Sequence, residues 1–163
     1  MPNLDPDGIL EDIRRGYDGD AWHGPPLRKL LDGVTAEVAC SHPVPEAHSI
    51  WEIVAHLAAW DGVVVDRITK RRAIETPEQG NFPPVTKFGP EAWAESLQEM
   101  DRQHARLIEA VSTLDEATLN ETVAGKNYST AHMIRGVAQH MSYHAGQIAL
   151  LKKLAEAKDD TAS

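Results

Sequence analysis

The sequence has a single cysteine and no long hydrophobic run, and each absence excludes a class of protein. With Cys40 as the only cysteine, the chain cannot form an internal disulfide framework, which fits a reducing compartment. The longest apolar stretches, such as residues 53–60, are far shorter than the roughly 20 residues that a membrane-spanning helix needs. The N-terminal residues also lack the basic region and apolar core of a secretion signal. We therefore expect a cytoplasmic protein with no membrane partner.

Basic charge is scarce as well. The chain has 16 lysines and arginines against 25 acidic residues, a formal net charge of −9. Nucleic-acid-binding proteins usually carry a basic patch or stripe. The one basic cluster here is "TKRR" at residues 69–72, near a predicted helix end where cations suit the helix dipole. We interpret it as a solvated helix end, with a phosphate-binding patch as the alternative, and we expect no nucleic-acid partner.

The sequence shows helical periodicity but no strand alternation and no internal repeat. Its 163 residues suffice for one domain with a hydrophobic core. Four long amphipathic segments predict helices at about residues 5–17, 50–75, 90–111 and 130–157. Shorter helical pieces are predicted at about 25–31, 35–39 and 114–119. The expected fold class is therefore all-α.

Capping patterns and one long connection refine this prediction. Ser49 with Glu52, and Thr113 with Glu116, match the S/T-x-x-E capping box that begins many helices, and Ser129 is a further candidate N-cap. About thirteen residues separate the second and third long helices, which is more than a tight antiparallel turn needs. This length favours a crossover that leaves those helices parallel. We predict a four-helix bundle with up-down-down-up topology, a single domain over residues 1–157, and a disordered tail at residues 158–163.

Two histidines lie on the apolar side of the last predicted helix, in "VAQHMSYHAGQIALLKK" (residues 137–153). The apolar stripe consists of Met133, Val137, Met141, Ile148 and Leu151, and His140 and His144 fill the remaining places in it. Residues four apart on a helix differ by about 40° in direction and about 6 Å along the axis, so both rings can reach one point. Buried imidazoles need polar partners, and a shared metal ion is one such partner.

A third histidine, His56, lies on the same side of the second long helix as Ile53, Leu57, Trp60 and Val64. Three imidazoles suit Zn, Ni, Cu or Fe better than Mg or Ca. Three protein ligands also leave a position for water or substrate, as catalytic sites do. Two other interpretations stay open. A chain with eight histidines often contains such a pair by chance, and a single inward histidine is more often a hydrogen-bonded core residue.

The segments "HSIWEIVAHLAAWD" and "HMSYHAGQIALLKK" resemble the DinB / YfiT-like superfamily. The more specific of the two motifs is H-x-x-Y-H-x-G-Q-I, at residues 140–148, and the resemblance covers nearly the whole chain. It implies a four-helix bundle with up-down-down-up order. It also implies that His56, His140 and His144 bind one divalent metal, commonly nickel or zinc.

The resemblance implies several activities. Characterised relatives include thiol-dependent transferases and isomerases that use bacillithiol, mycothiol or glutathione-like cosubstrates, while others are described as metal-dependent hydrolases or damage-inducible proteins. Some mycothiol-dependent relatives replace one ligand histidine with glutamate. This chain keeps histidine at all three positions and so resembles the bacillithiol-transferase-like branch. We expect a metal-dependent thiol S-transferase or hydrolase acting on a small electrophilic molecule, in a homodimer as in relatives. The alternatives are a non-catalytic metal- or ligand-binding stress-response module and a purely structural bundle.

Other residues are candidates for the pocket around this site. Trp60 and Tyr143 are predicted to line it or to pack between helices, and Gln147 is predicted to orient a histidine or to bond between helices. His23, in a loop, is predicted to enter the pocket. The remaining histidines are interpreted as surface or local structure (His42, His48 and His104) or as lying outside the ligand set (His132), and Cys40 as a packing residue.

Overall fold

A computed structural model of the chain describes the backbone of residues 5–161 and the side chains of residues 5–157. Within that range the fold is all-α, as predicted, and no strand forms; Thr122 and Ser129 make one isolated bridge. The helices are α1 (Pro6–Tyr17), α2 (Leu27–Leu30), α3 (Ala36–Cys40), α4 (Ile50–Thr69), α5 (Pro90–Ser112), α6 (Glu116–Asn120) and α7 (Thr130–Thr161). None of the described helices is long and apolar enough to cross a membrane.

The helix starts show which capping predictions hold. The Ser49 hydroxyl accepts from the backbone N–H of Glu52 (3.2 Å), and the Glu52 carboxylate accepts from the backbone N–H of Ser49 (2.7 Å), so the predicted capping box of α4 is confirmed. The second predicted box is wrong. Thr113 donates its hydroxyl to the carbonyl of Ala110 at the end of α5, and Asp115 caps α6 instead. A carboxylate at the N-cap satisfies the same free N–H groups that a hydroxyl would.

The second long helix ends earlier than predicted, at Thr69 rather than near residue 75. Arg71, two residues on, has a φ of 49°, in the left-handed region where a helix commonly terminates. Arg67 then donates its Nε–H to the carbonyl of Ile74 (3.0 Å), which holds the following segment against α4. The connection between α4 and α5 therefore covers residues 70–89 and is longer than the sequence suggested.

The four long helices pack around one core. Helix α4 contacts α5 and α7, and α1 contacts the same two helices from the other side. Each of the four long helices contributes fully buried apolar side chains, among them Ile13, Ile53, Val54, Met100, Leu107, Ile134 and Ile148. The short helices α2 and α3 pack on the outside of this bundle, against α7 and α4 respectively.

Side-chain contacts give the relative direction of α4 and α5. Trp51, near the start of α4, packs against Trp93 near the start of α5 with ring centroids 5.2 Å apart. Further along both helices, His104 Nδ1 lies 3.5 Å from Asp61 Oδ2. The two helices therefore run in the same direction, and the full up-down-down-up order stays a prediction. So does the tail predicted from residue 158: the α7 backbone continues to Thr161, whereas the side chains from 158 and all of residues 162–163 lie outside the described part.

Candidate metal centre

The three histidines singled out from the sequence lie together in the structure. His56 comes from α4, and His140 and His144 come from successive turns of α7. The Nε2 atoms of His56 and His140 are 2.8 Å apart, and those of His140 and His144 are 3.0 Å apart. The three residues each offer one nitrogen within 4.8 Å of the others, a grouping able to hold a metal ion. The contact between α4 and α7 thus brings the imidazoles to one point.

The outer ring nitrogens fix the tautomer of two of these histidines. His56 Nδ1 lies 2.6 Å from the backbone oxygen of Asn81, and His144 Nδ1 lies 2.6 Å from Gln147 Oε1. Carbonyl oxygens only accept hydrogen bonds, so both Nδ1 atoms carry a proton and donate it. In the neutral imidazole, the Nε2 atom then carries a lone pair. Both lone pairs are directed at the shared point.

Three neutral imidazoles arranged in this way cannot all satisfy their Nε2 atoms by hydrogen bonds to one another. His140 can donate a proton from Nε2 to only one neighbour, which leaves lone pairs facing each other at hydrogen-bond distance. A cation between the rings removes that repulsion. Tetrahedral Zn–N bonds of about 2.0–2.1 Å separate ligand nitrogens by about 3.3 Å, so small ring movements from the observed spacing accommodate such an ion. The donor set therefore fits a divalent transition metal.

Burial keeps the three rings neutral. Loss of solvation lowers the pKa of His140 to about 4, and charge on the neighbouring rings of His144 and His56 acts in the same direction. Burial also lowers the pKa of His56 and of His144, although the hydrogen bonds to Asn81 and Gln147 oppose this. Metal binding requires the deprotonated nitrogen. These rings are therefore in the ligand form at neutral pH without first losing a proton.

Two of the further candidate residues lie next to the cluster: Gln147 contacts His144 directly, and Trp60 is connected to His56 through Asn81. Gln147 accepts the hydrogen bond from His144 described above, the orienting role suggested by its spacing. The Trp60 ring lies 6.3 Å from the His56 ring, and its indole N–H donates to Asn81 Oδ1 (2.9 Å). Trp60 thereby lines the pocket and also supports the residue that orients His56.

The other two candidates lie farther out. Tyr143 is 65% exposed, with its ring 5.1 Å from that of His144, so it forms part of the rim. His23 does not line the pocket; its Nε2 contacts the Ser142 hydroxyl at 3.3 Å on the surface. The expectation that His23 enters the pocket is therefore wrong, because its ring contacts Ser142 of α7 outside the pocket.

Sequence reasoning missed the loop residues that touch the cluster. The Phe82 ring stacks on the His56 ring at a centroid distance of 4.1 Å, and His48 stacks on the other side of Phe82 at 3.5 Å. Asn81, next to Phe82, supplies the acceptor for His56. A loop without periodicity gives no pattern from which to infer these contacts. The only signal in the sequence was a polar residue followed by an aromatic one, Asn81 and Phe82, within a connection rich in proline and glycine.

His104 was interpreted as a surface or local residue, and this is wrong. It is buried between helices, where its ring stacks on Tyr17 at 3.6 Å and its Nδ1 faces Asp61. Tyr17 in turn donates its hydroxyl to Asp101 (2.6 Å). Burial and this hydrogen bond raise the pKa of Tyr17 well above its usual range. Polar partners on neighbouring helices, invisible to local periodicity, compensate the burial of this histidine.

A cavity of about 910 Å³ opens beside the three histidines. Its wall is mainly apolar and aromatic and includes Ile53, Trp60, Val64, Phe82, Val137 and Leu151. A volume of this size falls in the range of pockets for small-molecule ligands. The histidine cluster forms part of the wall, so a molecule in the cavity reaches the same nitrogens that a metal would occupy.

The fold and the site together define an all-helical protein with a largely buried three-histidine cluster compatible with binding a metal ion. The chain belongs to the DinB superfamily, whose family model matches residues 22–148 and thus most of its length. That match includes His56, His140 and His144. Among curated proteins, none matches the chain significantly.

Proposed function

We propose that this protein is a metalloenzyme that transfers a low-molecular-weight thiol to a small electrophilic molecule. His56, His140 and His144 would bind one nickel or zinc ion, and the cavity would hold the substrates. The observation that carries the proposal is the convergence of three neutral Nε2 atoms on the wall of a cavity of about 910 Å³. A closed structural site would have four protein ligands, whereas three leave a position for a reactant.

A bound metal would supply a Lewis acid that lowers the pKa of a thiol sulfur. The thiolate is the nucleophilic form. In the reaction the thiol loses its proton to solvent, a new sulfur–carbon bond forms, and the leaving group departs with its electron pair. The protein's own part is positional. Asn81 and Gln147 hold two imidazoles in the ligand tautomer, and the apolar wall around Trp60 and Phe82 packs the electrophile and excludes water.

Two finer statements belong to the same proposal. The three-histidine set supports the thiol-transferase branch that resembles bacillithiol transferases, and we place the enzyme as a homodimer in the cytoplasm. Hydrolysis would use the same three ligands with water in place of the thiol. A module that only binds the metal or a ligand would show the same site without turnover. The experiment below separates these cases.

The first test is elemental analysis of protein purified without a histidine tag. We expect about one nickel or zinc ion per chain, and none in a His56→Ala, His140→Ala double variant, because two of the three ligands are missing. The matched control is His42→Ala, an exposed histidine that contacts Glu52 rather than the cluster. Stoichiometric metal that survives in the double variant would refute the ligand assignment.

The metal-loaded protein is then assayed with a panel of thiols and electrophiles, with and without thiol. Turnover that requires both the metal and the thiol supports the transferase, and thiol-independent turnover identifies a hydrolase. Ligand binding without turnover identifies a non-catalytic module. Thiol-dependent turnover that persists after metal removal contradicts the proposal.

A further inference from the structure

The side chain of Arg67 on α4 is a buried cation whose hydrogen bonds go mainly to backbone oxygens. It is 7% exposed, and among the described residues no acidic side chain forms an ion pair with it. Its guanidinium donates to the backbone oxygens of Ile74 (3.0 Å from Nε) and Glu75 (3.4 Å from Nη2). The carboxylate of the adjacent Asp66 pairs with Lys70, and that of Glu75 pairs with Lys126.

Burying an unpaired charge is costly, and a buried arginine is normally matched by an anion. The two backbone carbonyls solvate the guanidinium in part, and the charge of Glu75 acts on it without forming an ion pair. One further donor, Nη1, lies 3.4 Å from the Tyr128 hydroxyl, at the long end of hydrogen bonding. Among the described residues, the hydrogen bonds of this buried guanidinium thus go to backbone oxygens and the Tyr128 hydroxyl, and none goes to a carboxylate.

Arg67 faces the same cavity as the three histidines. Eleven residues separate it from His56 on α4, which is close to three full turns, so both side chains lie on one face of the helix. The Trp60 ring lies between them: its centroid is 6.3 Å from the His56 ring and 5.7 Å from the guanidinium carbon. Because these two distances add to an upper limit, the guanidinium lies within about 12 Å of the His56 ring.

The other charged groups in the cavity wall do not neutralise Arg67. It is the only lysine or arginine among the described residues that line the cavity, and the acids in the wall are Glu46 and Asp61. The Asp61 carboxylate faces His104 on α5, and Glu46 lies in the exposed segment before α4. Tyr128, which also lines the cavity, offers a hydroxyl beside the guanidinium.

We propose that Arg67, with the Tyr128 hydroxyl, binds an oxyanion of the substrate or thiol cosubstrate whose other end reaches the three-histidine centre. The inference rests on the proposed function and specifies its substrate class: a small molecule with a carboxylate or phosphate within about 12 Å of the reacting end. A guanidinium presents paired N–H donors that match either oxyanion. The aromatic face of Trp60 packs against the chain that connects the two ends.

The test compares three probes that differ only at one end: 6-mercaptohexanoate, 6-mercaptohexyl phosphate and 6-mercaptohexanol. Binding is measured by calorimetry on metal-free and zinc-reconstituted protein. We expect the preferred acid to bind about ten-fold more tightly than the alcohol, as a charge-assisted hydrogen bond predicts. The acid that binds more tightly identifies carboxylate or phosphate as the natural group.

The same preference is measured in Arg67→Gln and in the matched control Arg71→Gln. Arg71 lies four residues later, beyond the end of α4, pairs with Glu121 on the surface and carries the same charge. We expect the acid-to-alcohol preference to fall to about one in Arg67→Gln and to stay in Arg71→Gln. Equal affinity for acid and alcohol in the unmodified protein overturns the inference, as does a preference that survives in folded Arg67→Gln.

Arg67 also anchors residues 74 and 75, so circular dichroism is used to establish that the variant is folded. If it is not, Tyr128→Phe provides the test, because it leaves the Arg67 anchor in place; we expect about a three-fold loss of preference, and an unchanged preference overturns the inference. The metal-free titrations separate the two proposals. A carboxylate or phosphate preference in protein that never binds zinc supports the anion site and refutes the metalloenzyme.

Discussion

Two imidazoles of the cluster, His56 and His144, depend on different kinds of group for their orientation. His56 donates to a main-chain oxygen, whereas His144 donates to the side chain of Gln147 on its own helix. A main-chain acceptor cannot be removed by substitution, but the Gln147 amide can. The contribution of such an outer partner to metal affinity is therefore measurable at Gln147.

We expect Gln147→Leu to weaken zinc affinity about 10- to 100-fold, because His144 loses the acceptor that fixes its tautomer and ring orientation. The measurement is competition with a chromophoric chelator. Gln139→Leu is the control, since Gln139 is an exposed glutamine on the same helix. An unchanged affinity in Gln147→Leu would show that the contact is structural only.

The sequence predicted the residues of the centre better than their surroundings. His56, His140 and His144 lie on helices, where the 3.6-residue period reveals which side chains face inward. Asn81 and Phe82 lie in the connection from 70 to 89, where no period exists and contacts depend on how the loop folds over α4. His104 was misjudged for a related reason, because its partners Tyr17 and Asp61 belong to other helices.

At the scale of elements, the α4–α5 contact contains a carboxyl in an unfavourable setting. Asp61 is largely buried, with 15% of its side chain exposed, and burial raises its pKa above the ordinary value of 3.8 while the His104 hydrogen bond opposes the rise. A raised pKa means that ionisation favours the unfolded chain, where the carboxyl is solvated. The ionised form therefore reduces the free energy of unfolding at pH values above 3.8.

We expect Asp61→Asn to raise the free energy of unfolding of the metal-free protein at pH 7, with the gain shrinking as the pH falls toward 3.8. Below that pH the natural carboxyl is protonated in both states and resembles the amide. Urea unfolding at a series of pH values measures the difference. Asp66→Asn is the control, because its carboxylate pairs with exposed Lys70 and such a pair contributes only about 0–1 kcal/mol. A gain that grows toward acid pH would contradict the assignment.

The errors in helix boundaries have local causes. Residues 70–75 contain good helix formers, so the predicted helix extended through them. In the structure Arg71 adopts the left-handed conformation, which glycine or asparagine usually signals in a sequence. Without that signal the stop could not be recognised. At α6 the sequence predicted Thr113 as the cap, but its hydroxyl donates to the Ala110 carbonyl of α5, and Asp115 caps the helix.

At the scale of the whole molecule, the histidine centre joins two helices that are distant in sequence. A metal bound by the folded chain and not by the unfolded chain stabilises the fold by RT ln(1 + [metal]/Kd). At a thousand-fold excess over Kd this is about 4 kcal/mol, which corresponds to a rise in Tm of roughly 10 °C for a chain of this size.

We therefore expect saturating zinc to raise Tm by roughly 10 °C and a chelator to reverse the rise. Differential scanning calorimetry with and without zinc makes the measurement. The variant His56→Ala, His140→Ala should show no response, because two ligands are absent. An equal rise in that variant would locate the metal elsewhere in the chain.

The global architecture was the most predictable level. Apolar stripes on four long segments, without strand alternation, led to the all-α class, and the long connection pointed to the parallel pair α4 and α5 that the Trp51–Trp93 and Asp61–His104 contacts define. The homodimer and the cytoplasmic location stay predictions. Oligomeric state depends on surface complementarity between copies, which periodicity within one chain does not encode, and sedimentation velocity measures it.

The hydrogen bond from His56 to the main-chain oxygen of Asn81 has a consequence for how this scaffold can diversify. Every amino acid provides a carbonyl at that position, so mutation of residue 81 leaves the acceptor for the imidazole in place. The same loop supplies Phe82 to the cavity wall. Substitution of residue 81, which also lines the cavity, would therefore alter the cavity wall while the main-chain acceptor of His56 is retained. Because the cavity wall can change here while the acceptor of His56 is kept, this position is a suitable starting point for directed evolution of new substrate ranges.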